Sequence, residues 1–98
     1  MSDAIRHVTI RGRVQGVGYR HFVTETAMAH GLQGWVRNRM SRTVEAVFIG
    51  PAEAVAAAVE ACKTGPRNAR VDGIDQSEAM PEQQALYSGS GFSVLPTV

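Results

Sequence analysis

With 98 residues the chain has length for one compact domain and none for a second. Its 44% hydrophobic and 19% charged residues are ordinary globular values, which excludes disordered and fibrous classes, and no apolar run approaches the ~18 residues that cross a bilayer. The formal net charge is only +1, yet residues 1–45 carry seven arginines against Asp3, Glu25 and Glu45, while the remainder is net negative. Arginine presents a planar fork of donors, so the N-terminal half is suited to a phosphate or carboxylate ligand, although solvated strand edges would show the same charge. Cys62 is the only cysteine, so no internal disulfide forms and a reducing compartment is expected. The expectation is a single cytoplasmic, monomeric domain over residues 1–98 with no membrane partner.

Residues 5–14 alternate with period two, placing Val8, Ile10, Gly12 and Val14 on one face and His7, Thr9, Arg11 and Arg13 on the other, which predicts a strand. A loop with Gly16 and Gly18 leads into a predicted helix over 20–31, with Phe22, Val23, Ala27 and Met28 on its apolar side and Gly31 as stop signal. Residues 34–39 and 43–50 read as two strands of a hairpin, separated by Met40, Ser41 and Arg42. Pro51 opens a second helix at its first position, with Val55, Val59 and Cys62 on one face, and Thr64, Gly65 and Pro66 end it. Residues 69–78 predict a fourth strand anchored by Val71 and Ile74, its register weakened by Gly73. Residues 80–91 read as a polar surface loop, and 91–96 as a short closing strand.

The order strand, helix, strand, strand, helix, strand makes two split βαβ units. It predicts a ferredoxin-like α/β (α+β) sandwich, βαββαβ, with an antiparallel sheet and both helices on one face.

The first loop, Gly12-Arg13-Val14-Gln15-Gly16-Val17-Gly18-Tyr19-Arg20, joins a strand to a helix. Glycines two residues apart can alternate backbone handedness and turn successive N–H groups inward as an anion nest, in the positive field of the helix start. Arg20 stands where it can grip two phosphate oxygens. Two glycines and an arginine also fit a plain tight turn, so the loop alone is a weak signal.

Taken with Gly31-Leu32-x-Gly34-Trp35-Val36-Arg37-Asn38, this loop resembles the acylphosphatase family. Val44-Glu45-Ala46, Gly50-Pro51, Gly65-Pro66, Ala69-Arg70-Val71 and Phe92-x-Val94 extend the resemblance over nearly the whole chain. It implies hydrolysis of an acyl phosphate to a carboxylate and inorganic phosphate without metal or other cofactor, phosphate being both product and competitive inhibitor. It also implies that Arg20 binds the phosphoryl group, that the backbone amides of Gln15, Gly16, Val17, Gly18, Tyr19 and Arg20 cradle it, and that Asn38 orients the attacking water. One departure stands out: the family commonly has Asp-Gly in the turn after the asparagine, where this chain has Ser41-Arg42. Loss of that glycine is expected to change the turn and the placement of Asn38.

The chemistry is consistent in its own right. The leaving carboxylate is a stable anion near neutral pH, so no general acid is required, and an uncharged Asn38 can hold water without repelling the phosphoryl oxygens. His21 and His30 lie on opposite sides of the predicted helix and cannot share a metal. Cys62 and Arg67 fall one residue short of the spacing of cysteine-dependent phosphatases, so Cys62 reads as a core thiol and Trp35 as packing. The alternative is a non-catalytic module that binds an acyl phosphate or carbamoyl phosphate. RNA binding is disfavoured, because the first strand has no aromatic residue for base stacking.

Overall fold

The alternation of β1 (Asp3–Arg13) sets the layers of the molecule, seen in a computed structural model that describes residues 3–98. Val8 and Ile10 point to one face and are fully buried, whereas His7 and Thr9 point to the other. β1 pairs antiparallel with β3 (Val44–Pro51) on one side and β4 (Arg70–Glu78) on the other. β2 (Gln33–Asn38) forms the predicted hairpin with β3, and β5 (Phe92–Val94) adds to β2 at the edge. The sheet order is β4-β1-β3-β2-β5.

Helices α1 (Tyr19–Ala29) and α2 (Ala52–Cys62) pack on the face that carries Val8, Ile10, Val36, Ala46 and Phe48. Tyr19, Val23 and Ala27 of α1 and Val55, Val59 and Cys62 of α2 close this core. Each buried aliphatic or aromatic side chain of this kind contributes about 1.5–3 kcal/mol of transfer free energy, so the two apolar stripes are what hold the helices to the sheet. Met28 does not join them: it is 67% exposed, because α1 turns a narrower stripe inward than the sequence pattern suggests.

Three further expectations are corrected. Pro51 is the last residue of β3 and the N-cap of α2, with ψ of 136°, so the helix starts one residue later. The sheet is mixed, because β5 runs parallel to β2. Residues 80–91 are not merely a surface loop: they include the short helix α3 (Pro81–Gln84), whose Gln83 carbonyl accepts a 2.9 Å hydrogen bond from Trp35 Nε1. Trp35, Val47 and Ala79 form a small second core on the face opposite α1 and α2, joined by Tyr87 and Leu95. An indole N–H buried in that layer needs an acceptor, and the segment after β4 supplies it.

The Ser41-Arg42 turn shows where the missing glycine tells. Arg42 has φ of 74°, so it takes the left-handed conformation that glycine would occupy at no steric cost, and the Arg42 amide still bonds the Arg39 carbonyl at 2.9 Å. The turn closes with arginine at a strained position.

Candidate active site

Val14 is buried at the end of β1 and anchors the start of the glycine loop. Gly16 and Gly18 have φ of 73° and 78°, the left-handed region in which the loop can turn its N–H groups to one side. Gly18 is the N-cap of α1, where no side chain caps the helix and no acidic residue occupies the first turn. The first N–H groups of α1 are therefore free of a competing carboxylate, and the positive end of the helix faces the loop. Arg20 sits half-buried in that first turn, and its guanidinium makes no ion pair or side-chain hydrogen bond among the described residues.

A cavity of about 380 Å³ is lined by Gly16, Gly18, Arg20, Thr24, Asn38 and Val94. Asn38 reaches it from the end of β2, on the strand adjacent to β3, so the loop and the hairpin converge although 18 or more residues separate them in sequence. Asn38 Oδ1 is buried and has no hydrogen-bond partner among the described residues. An unpartnered buried acceptor costs about 1–3 kcal/mol, so it marks a position where a ligand or water completes the set.

The other loop residues divide by their side chains. Tyr19 borders the cavity but sends its hydroxyl into the core, donating to the Cys62 carbonyl at 2.7 Å. Burial pushes the Tyr19 phenol well above its ordinary value, with the neighbouring Cys62 acting in the same direction, so Tyr19 stays a neutral anchor. Val17 packs against the main core. Gln15 lies outside this cavity and lines a neighbouring cleft. Cys62 is fully buried and its thiol is pushed up to about 11, mainly by burial, which leaves it unreactive.

A family model described as Acylphosphatase matches residues 6–94. The chain belongs to the acylphosphatase family. It is 50% identical over 99 aligned positions to an acylphosphatase of Nitrobacter hamburgensis, with 100% of both chains covered. The solved acylphosphatase of Bacillus subtilis superposes with a TM-score of 0.82 at 36% identity, covering 93% of this chain and 97% of that one. That of Coxiella burnetii gives 0.83 at 31% identity, covering 95% and 93%. The protein is thus a hydrolase of the acylphosphatase type with the ferredoxin-like fold.

Two features of this acylphosphatase escape a reading of the sequence. Gln15 Nε2 donates to the carbonyls of both Arg39 and Thr43 at 2.9 Å, tying the glycine loop to the turn that follows Asn38. On the opposite face of the sheet, Glu45 is 6% exposed and accepts from Arg37 Nε at 2.7 Å and Arg39 Nη1 at 2.9 Å, with His7 Nε2 at 2.6 Å. Burial by itself would raise the Glu45 carboxyl, but the hydrogen bonds from His7, Arg37 and Arg39 outweigh it and hold the group below its ordinary value. The acylphosphatase thereby fixes both neighbours of Asn38 to one carboxylate. The partners are 38, 8 and 6 residues from Glu45, so the sequence signal was limited to a charged residue inside an apolar strand.

Proposed function

We propose that this protein hydrolyses acyl phosphates through Arg20, the loop amides from Gln15 to Arg20, and Asn38. The phosphoryl group sits in the glycine loop at the start of α1, where Arg20 forks two of its oxygens and the amides and helix field neutralise the rest. Asn38 Oδ1 accepts from the attacking water and aligns it on phosphorus. The water oxygen forms the new P–O bond as the bond to the acyl oxygen breaks, the electron pair leaves on the carboxylate, and both water protons depart with the phosphate as dihydrogen phosphate. The leaving group is already a stable anion, so the absence of an acidic side chain at the cavity is no obstacle. The observation that carries this reading is that Asn38, whose side-chain oxygen has no hydrogen-bond partner among the described residues, lines the same cavity as Arg20.

The described residues include no helix long and apolar enough to cross a membrane. A single buried thiol and a domain held by packing alone support a cytoplasmic monomer acting on a small acyl phosphate. The reading is tested with benzoyl phosphate. Turnover is expected to survive EDTA and to be inhibited competitively by inorganic phosphate, since phosphate fits the same nest. Phosphate binding without turnover would make the chain a binding module instead.

A further inference from the structure

A second cleft, of about 580 Å³, opens beside the glycine loop and is lined by Gly12, Arg13, Gln15, Arg42, Arg70 and Asp72. Val14 lies in the walls of both this cleft and the Asn38 cavity, so the two adjoin. We infer that the cleft is a subsite for a second anionic group, a carboxylate or phosphate at the far end of the substrate's acyl portion. The inference rests on the phosphoryl-binding role given above to the loop.

The first ground is charge. Three arginines line the cleft with one aspartate. Arg70 Nε pairs with Asp72 Oδ1 at 3.2 Å, while Arg13 and Arg42 have no ion pair or side-chain hydrogen bond among the described residues. Arg13 and Arg70 stand directly opposite each other across β1 and β4. Like charges in that position repel, and a ligand anion between them removes the penalty.

The second ground is backbone geometry. The β1–β4 register shifts between Arg11 and Gly12, leaving Asp72 without a partner on β1. Gly12 makes the shift possible: a Cβ there would stand 2.1 Å from the Arg70 carbonyl oxygen. The bulge is what brings Arg13 and Arg70 together beside Asp72. On the other wall, Arg42 holds φ of 74° in a turn where glycine would be unstrained. Strain is thus retained at the one turn residue that lines the cleft.

The third ground is continuity with the reaction. Gln15 bonds the carbonyls of Arg39 and Thr43, which bracket Arg42, so the turn bearing Arg42 is tethered to the loop that takes the phosphoryl group. In-line displacement places the leaving group away from the water, hence away from Asn38. An acyl portion that passes Val14 meets the arginines, and Arg13, Arg42 and Arg70 then read the charge of its far end.

The test compares benzoyl phosphate with 4-carboxybenzoyl phosphate, which share the reacting bond and differ in the remote charge. In the wild type at low ionic strength, kcat/KM for the carboxylated substrate is expected to be about tenfold higher, and the advantage should shrink as salt is raised to about 0.2 M. Arg42→Gly and Arg70→Gln should each remove several-fold of that advantage, with benzoyl phosphate as the internal reference. Equal kcat/KM for the two substrates in the wild type would overturn the subsite, as would an advantage that survives the double variant. If free succinate alters benzoyl phosphate kcat without competing, in the wild type and not in Arg42→Gly, the cleft serves a separate anion and the assignment to the substrate is wrong. Failure to hydrolyse benzoyl phosphate at all would instead sink the reaction proposed above.

Discussion

Gln15 reaches across 24 residues of chain to donate its side-chain N–H to the Arg39 carbonyl at 2.9 Å, and the same amide group serves Thr43. The loop that would hold the phosphoryl group and the turn that follows Asn38 are therefore one mechanical unit. Gln15→Ala is expected to lower kcat on benzoyl phosphate by about tenfold while the inhibition constant of phosphate changes little, because the bound anion and the water-holding residue lose their mutual alignment. Gln15→Glu should be worse, since a carboxylate cannot donate to either carbonyl. Steady-state kinetics with phosphate inhibition checks this. A parallel rise in KM and phosphate inhibition constant with unchanged kcat would place Gln15 in anion binding only.

Glu45 predicts a pH dependence of stability. Its carboxyl lies below the ordinary value of 4.5 in the folded protein, so the native state holds the ionised form and the unfolded state takes up the proton first. The stabilisation is complete above the unfolded value and is lost as pH falls through the folded one. Urea midpoints of the wild type should hold near neutrality and drop below about pH 5. Glu45→Gln should cost about 3 kcal/mol at pH 7, at the low end for a broken buried pair because Arg39 is 39% exposed and keeps water. The variant should also show a shallower decline in acid, and equal slopes would remove Glu45 as the source.

Arg42 predicts a gain. Relieving its left-handed backbone with Arg42→Gly is expected to stabilise the fold by about 1 kcal/mol, less the larger unfolded-state entropy of glycine. For a domain of this size the corresponding rise in Tm is at most about 4–8 °C. Differential scanning calorimetry at pH 7 measures it, and a lower Tm would mean that the Arg42 side chain contributes contacts that outweigh the strain.

The sandwich was legible because its cues are local. Val8 and Ile10 alternate with His7 and Thr9 to declare a strand, Val55, Val59 and Cys62 declare a helix face, and the order of elements leaves few topologies. Trp35 announced burial but not its partner, because the Gln83 carbonyl that satisfies it lies 48 residues away in a segment whose composition is that of a loop. The glycine loop was readable as a candidate anion nest, and Arg20 and Asn38 as candidate site residues through resemblance. The bonds that join them were not. Gln15 to Arg39 and Thr43, and Glu45 to His7, depend on how β1 and its following loop register against the β2–β3 hairpin, which no local preference specifies. The turn at Ser41-Arg42 shows the converse: the sequence marks a missing glycine, and the surrounding hairpin holds Arg42 in the left-handed conformation all the same.

The role of Asn38 separates catalysis from anion binding, and it rests on the buried Oδ1, which has no partner among the described residues. The decisive measurement is kcat for benzoyl phosphate beside the dissociation constant for inorganic phosphate, in the wild type, Asn38→Ala and Asn38→Asp. Asn38→Ala is expected to lower kcat by about 10² while phosphate affinity stays within about twofold, because Arg20 and the loop amides still hold the anion. Asn38→Asp should be at least as slow near neutral pH, with partial recovery in acid as the carboxylate takes a proton. Wild-type turnover by Asn38→Ala would contradict the account, since the water would then be held by some other group.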